Sequence, residues 1–104
     1  MITVTRLKDG ITIEGHAGYA PLGQDIVCAG VSTLAQTLIQ SVKELTTDAI
    51  EYSMNPGRVQ IKFWSLSSES RTLVSSFFIG VERIAEAYPN NVKIIDQAVE
   101  VVKS

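Results

Sequence analysis

Apolar and polar residues alternate from the first positions of the chain. Ile2 to Leu7 reads as a strand, Asp9-Gly10 is a tight-turn pair, and Ile11 to Gly15 reads as the returning strand. Then the period changes. Val27, Val31, Leu34, Leu38, Val42 and Leu45 recur at helical spacing, widened by Ala35 and Ile39, and predict a helix from Ile26 to Leu45 that lays one face on a sheet. Asp25 stands where its N-cap belongs. Alternation returns over Asp48 to Met54 and Arg58 to Trp64, with Asn55-Pro56-Gly57 turning between them. Trp64, at the strand end, is expected as a half-buried edge of the core. A polar link from Ser65 to Ser70 supplies a capping serine. A second helix then runs from Glu69 to Tyr88, stopped by Pro89. Val92 to Ile95 is a last strand, and the tail from Asp96 to Ser104 is free to extend it or to turn helical.

The order β-β-α-β-β-α-β predicts an α+β fold in one domain over residues 1–104. Two hairpins and a C-terminal strand make a largely antiparallel sheet, packed with two long helices as two layers or a sandwich. The second helix is apolar over more than one face: Leu73, Val74, Phe77, Phe78, Ile79, Val81, Ile84 and Ala85. Val74, Phe78 and Ala85 exceed what a sheet alone would cover, which predicts self-association.

Composition narrows the function classes. The 104 residues are 45% hydrophobic and 19% charged, as in an ordinary globular protein. A net charge of −2 with no Lys/Arg cluster argues against direct nucleic-acid binding. Met1 to Lys8 lacks the apolar core of a signal peptide, and no apolar run approaches the roughly 20 residues that cross a membrane. One cysteine forms no internal disulfide, which fits the reducing cytoplasm. The Gly15, Gly18 and Gly23 spacing before a helix is a weak phosphate-loop signal, because no Gly-Lys-Ser/Thr comes after it.

The candidate chemistry lies between Thr12 and Ser32. That stretch holds the chain's one histidine, His16, at a strand end, and its one cysteine, Cys28, in the first turn of a helix. A loop between them can fold the two together as a thiol and its base. Unpaired N–H groups and the positive end of the dipole favour a thiolate at a helix start, and could hold the oxyanion of an acyl-transfer intermediate. Asp25 as a cap would occupy one of those N–H groups, and its charge opposes the thiolate. Ser32 lies one helical turn beyond Cys28, on the same face, where it can orient the thiol or His16. Each residue also has a plainer role: Cys28 as a small buried hydrophobe, His16 as a satisfied structural group, Asp25 as a mere cap, Ser32 bonded to its own backbone.

Gly15-His16-Ala17, then Tyr19, then Gly23-Gln24-Asp25-Ile26-Val27-Cys28-Ala29-Gly30-Val31-Ser32 resembles the signature of the ribosomal-processing cysteine proteases, the Prp family. Length and element order resemble that family along the whole chain. Past Ser32 the pattern departs: the family often has small residues ending in Asn where this chain reads Leu34-Ala35-Gln36-Thr37-Leu38. The resemblance implies that Cys28 is the nucleophile and His16 the general base. It implies a homodimer whose substrate is the N-terminal extension of a large-subunit ribosomal protein, and a Cys–His dyad calls for no cofactor or metal. Gly15, Tyr19, Gly23, Asp25 and Ser32 are then supporting or substrate-binding residues. A phage-type relative would instead process a virion protein. Two other classes compete: a peptide-binding module that captures an extended segment on its sheet edge, and a metal site, for which one Cys and one His are too few ligands. Under the protease reading, Ala17 to Gln24 is expected to act as a lid over bound peptide.

Overall fold

The computed structural model describes residues 1–21 and 24–98. Its elements are β1 (Ile2–Leu7), β2 (Gly10–Glu14), α1 (Ile26–Leu45), β3 (Ile50–Asn55), β4 (Arg58–Phe63), α2 (Ser68–Ala87) and β5 (Val92–Asp96). The sheet order is β3-β4-β2-β1-β5, with every neighbouring pair antiparallel except β1 and β5, which run parallel. This is the expected α+β fold in its two-layer form.

The two crossovers explain why both helices share one face. From β2 through α1 to β3 the chain moves toward one edge of the sheet. From β4 through α2 to β5 it moves toward the other, on oppositely directed strands. Right-handed connections therefore put both helices on the same side. There they meet closely: a Cβ on Gly80 would lie 2.9 Å from Leu34 Cδ2, and one on Gly30 would lie 3.2 Å from Ile84 Cδ1. Between this layer and the sheet lies the core. Ile2, Val4, Ile11, Ile13, Ile61 and Phe63 come from the strands, Val27, Val31, Leu38 and Val42 from α1, and Phe77, Phe78 and Val81 from α2.

Element ends obey local chemistry. The second hairpin starts at Ile50 rather than Asp48, because Asp48 is engaged elsewhere. Its Oδ2 accepts from the Ser67 N–H at 2.9 Å and from the Ser67 hydroxyl at 2.6 Å. Ser67 in turn caps α2, accepting from the Ser70 N–H. The fully buried Ser70 hydroxyl donates to Thr46 Oγ1 at 3.2 Å, so the end of α1 is tied to the start of α2.

Two expectations need correction. The broad stripe of α2 is not surplus: Val74 and Phe78 are buried and Ala85 packs on the core, because α2 meets both the sheet and α1. Of that set Ile79 stands out, 60% exposed. Trp64 is not half-buried but 58% exposed, because β4 ends at Phe63, which takes the core position. The expected tail beyond Ala98 lies outside the described residues. Before that point β5 takes in Asp96 and ends there, with the Gln97 N–H donating to Arg6 O and the Ala98 N–H to Asp96 Oδ1.

Candidate active site

His16 and Cys28 line one cavity of about 290 Å³. His16 sits just past β2, at the tip of the second hairpin. The Gly15 N–H donates to Gly57 O at 2.9 Å, joining the end of β2 to that tip. A Cβ on Gly57 would lie 3.0 Å from His16 Nε2, so the imidazole occupies space that only glycine leaves. Gly15 itself must be glycine: its φ is +92°, and a Cβ would fall on the Met1 carbonyl.

Cys28 is half-buried in the first turn of α1. Ser32 faces the same cavity one turn on. The other walls are mostly apolar, with Ile2 and Ile13 from the sheet, Val31 and Ala35 from α1, and Met54 and Val59 from the hairpin, while Asn55 and Arg58 add polar groups at the hairpin end. Arg58 and Glu14 pair at 3.4 Å near the His16 end, both exposed.

Asp25 does more than cap. Oδ1 accepts from the N–H groups of Val27 and Cys28, each at 3.0 Å. Oδ2 accepts from those of Tyr19 at 3.0 Å and Ala20 at 3.3 Å. One carboxylate, only 7% exposed, thus joins the loop after His16 to the helix that carries Cys28. Burial pushes the Asp25 carboxyl up, but the four N–H donors, that of Cys28 foremost, outweigh it and hold it below its ordinary value. Two of the expected free helix N–H groups are therefore spent. Val27 and Cys28 donate to this side chain and Ala29 to the Asp25 carbonyl. The donor that does point at the sulfur comes from the loop: the Ala17 N–H, 3.2 Å from Cys28 Sγ. Among the described residues no hydrogen bond joins His16 to Cys28.

The expected lid is in part tied down. Ala17 is buried, Tyr19 and Ala20 are bonded to Asp25, and the Tyr19 ring meets Tyr88 edge-on at 5.2 Å between centroids. Leu22 and Gly23 lie outside the described residues.

Three contributors to the site were not legible as such. Gly57 and Met54 read as turn and strand positions, and only the fold of the hairpin brings them to His16. Asn91, whose amide donates to Ala17 O at 3.0 Å, comes from 74 positions away with no local signal. Among the described residues no three or more His, Cys, Asp or Glu gather as metal ligands would. No helix there is long and apolar enough to cross a membrane.

A family model described as "Cysteine protease Prp" matches residues 1–93. A ribosomal processing cysteine protease Prp of Staphylococcus aureus is 26% identical over 87 residues, covering 81% of this chain and 82% of that protein. One from Mycoplasma genitalium is 26% identical over 102 residues, covering 96% of this chain and all of that protein. Among solved structures, the essential ribosomal processing protease Prp from S. aureus, in complex with a covalently linked product peptide, superposes with a TM-score of 0.86. It is 24% identical and covers 93% of this chain and 100% of that one.

Proposed function

The chain belongs to the Prp family of cysteine proteases, and on that premise we propose that it cleaves peptide bonds with a Cys28–His16 dyad. The observation that carries this is the shared cavity: the chain's one thiol and one imidazole face the same space, brought there by two successive elements and the loop that joins them. Cys28 Sγ, its proton passed to His16, bonds to the scissile carbonyl carbon. The C–N bond breaks as His16 returns that proton to the leaving amine. Water, deprotonated by His16, then adds to the thioester, the C–S bond breaks, and the acid leaves with Cys28 restored. Ser32, one turn from Cys28 on the cavity wall, orients the reacting groups. Asp25 acts on the scaffold side, holding loop and helix together.

The proposed substrate is the N-terminal extension of a large-subunit ribosomal protein. The support is twofold. The relatives are named for ribosomal processing, and the cavity's apolar walls suit an apolar side chain next to the scissile bond. The same resemblance supports a cytoplasmic homodimer, and sedimentation of a monomer at assay concentration would count against the dimer.

Cleavage of a peptide carrying a short apolar, Phe-ended extension tests the reading. Cys28→Ala and His16→Ala should each cut kcat/KM by about a thousandfold or more with the fold intact, and Ser32→Ala by a few-fold only. Turnover near that of the wild type in either dyad mutant would sink the proposal.

A further inference from the structure

Ala17 is held at three points. Its methyl group is buried, at 2% exposure. Its N–H is aimed at Cys28 Sγ at 3.2 Å. Its carbonyl accepts from Asn91 Nδ2 at 3.0 Å. The first is ordinary packing and the second belongs to the site. The third links the site to the turn between α2 and β5.

We propose that Asn91 is a positioning residue for the protease site, acting through the Ala17 backbone on Cys28 and His16. The inference rests on the dyad reading above and adds a residue to it. Asn91 is itself fixed from both sides: its N–H donates to Tyr88 O at 3.0 Å, and its carbonyl accepts from the Ile2 N–H at 2.9 Å. It is therefore anchored to the end of α2 and the start of β1 before its side chain reaches the loop. Facing a carbonyl, that side chain must present its NH₂ group, since the amide oxygen has nothing to accept there.

The next residue along, Gly18, explains the need for such an anchor. It has φ +70°, and nothing lies within 4 Å of the place where its Cβ would be. It is an unpacked, permissive position next to the reacting groups. Asn91 clamps the peptide between Ala17 and Gly18, so rotation at Gly18 does not travel back to the Ala17 N–H or to His16. The Ala17 N–H matters because the helix N–H groups near the sulfur are taken by Asp25. A donor already aimed at the sulfur needs no reorganisation when negative charge appears there or on the adjoining carbonyl oxygen. Asn91 touches none of the reacting atoms, so its effect belongs to kcat rather than to substrate affinity.

Asn91→Asp is the sharp test, because it keeps the shape and replaces the donor with a second acceptor. Fold is checked by circular dichroism and thermal melting. Amide hydrogen exchange at Ala17 is read without substrate, and kcat and KM are read with the peptide. The expected result is Ala17 exchange faster by about tenfold, with the amides of Val31 and Ala35 unchanged, and kcat lower by about tenfold with KM held within about threefold. Unchanged exchange at Ala17, unchanged kcat, or a loss confined to KM would each overturn the proposal. If the Asp variant does not fold, Asn91→Ala, which brings no charge, is read by the same criteria. Failure of the dyad reading shows separately, as turnover retained in Cys28→Ala, and the exchange measurement still reports whether Asn91 holds Ala17.

Discussion

A glycine can matter for the room it leaves. Gly57 sits at φ +76° in the hairpin turn, and the His16 ring lies where its side chain would go. Gly57→Ala therefore meets two penalties: a left-handed backbone carrying a Cβ, about 1–2 kcal/mol, and a 3.0 Å contact with His16 Nε2. The ring is the softer partner and should move. We expect kcat/KM to fall by about ten- to a hundredfold, while the melting temperature falls by only several degrees. Kinetics and a thermal melt on the same sample decide it. A variant that loses stability but keeps wild-type kcat/KM would show that His16 does not depend on this space. At this scale the sequence was informative about chemistry and silent about placement. His16 and Cys28 could be singled out because each is unique and lies within a specific motif. Gly57 and Asn91 could not, because what they touch is set by a hairpin and a turn folding back from distant positions.

Between elements, the packing of α1 on α2 turns on one glycine. Gly80 has Leu34 Cδ2 at 2.9 Å from its would-be Cβ, so the helices are as near as they are because that position is bare. Gly80→Val should overpack the seam and cost about 1–3 kcal/mol. Urea unfolding measures it, and activity well below the midpoint should be nearly unchanged, since neither Gly80 nor Leu34 lines the cavity. No loss of stability would mean that the helices slide apart freely. The elements themselves were largely legible. Asp9-Gly10 marked the first hairpin, Asp25 the start of α1, and Pro89 the end of α2, each through local backbone chemistry. The breadth of the α2 stripe was legible too, but not its cause. A helix packed on both a sheet and a second helix needs two apolar faces, and counting apolar positions does not distinguish that from an exposed patch. Strand order was out of reach for the same reason: the parallel pairing of β1 with β5 leaves no mark within either strand.

At the scale of the molecule, two carboxylates among the described residues are held below their ordinary value and so tie stability to pH. Asp48 is held below its ordinary value chiefly by the Ser67 hydroxyl, and Asp25 by its four N–H donors against the effect of burial. Both folded-state values lie below the unfolded ones. Between the two the unfolded chain binds more protons, so stability falls as pH falls. The contribution is complete above the ordinary carboxylate value, 3.8, and is lost as pH drops through the depressed folded values. Melting temperatures from neutrality down to about pH 3 should decline most steeply below about pH 4, and Asp25→Ala should flatten that decline while lowering the melting temperature at neutral pH. An unaltered acid limb in that variant would assign the response to other groups. The contact between Asn91 and Ala17 also sets a schedule for the newborn chain. Synthesis proceeds at about 5–20 residues per second, so the 74 positions between the two take about 4–15 s to add. Until then β1 lacks its parallel neighbour, and Ala17 has no amide to hold its carbonyl. A nascent chain thus displays its thiol, and every residue lining the cavity as far as Val59, before the amide that holds Ala17 has been made, so the loop beside the thiol gains its clamp only just ahead of the last strand.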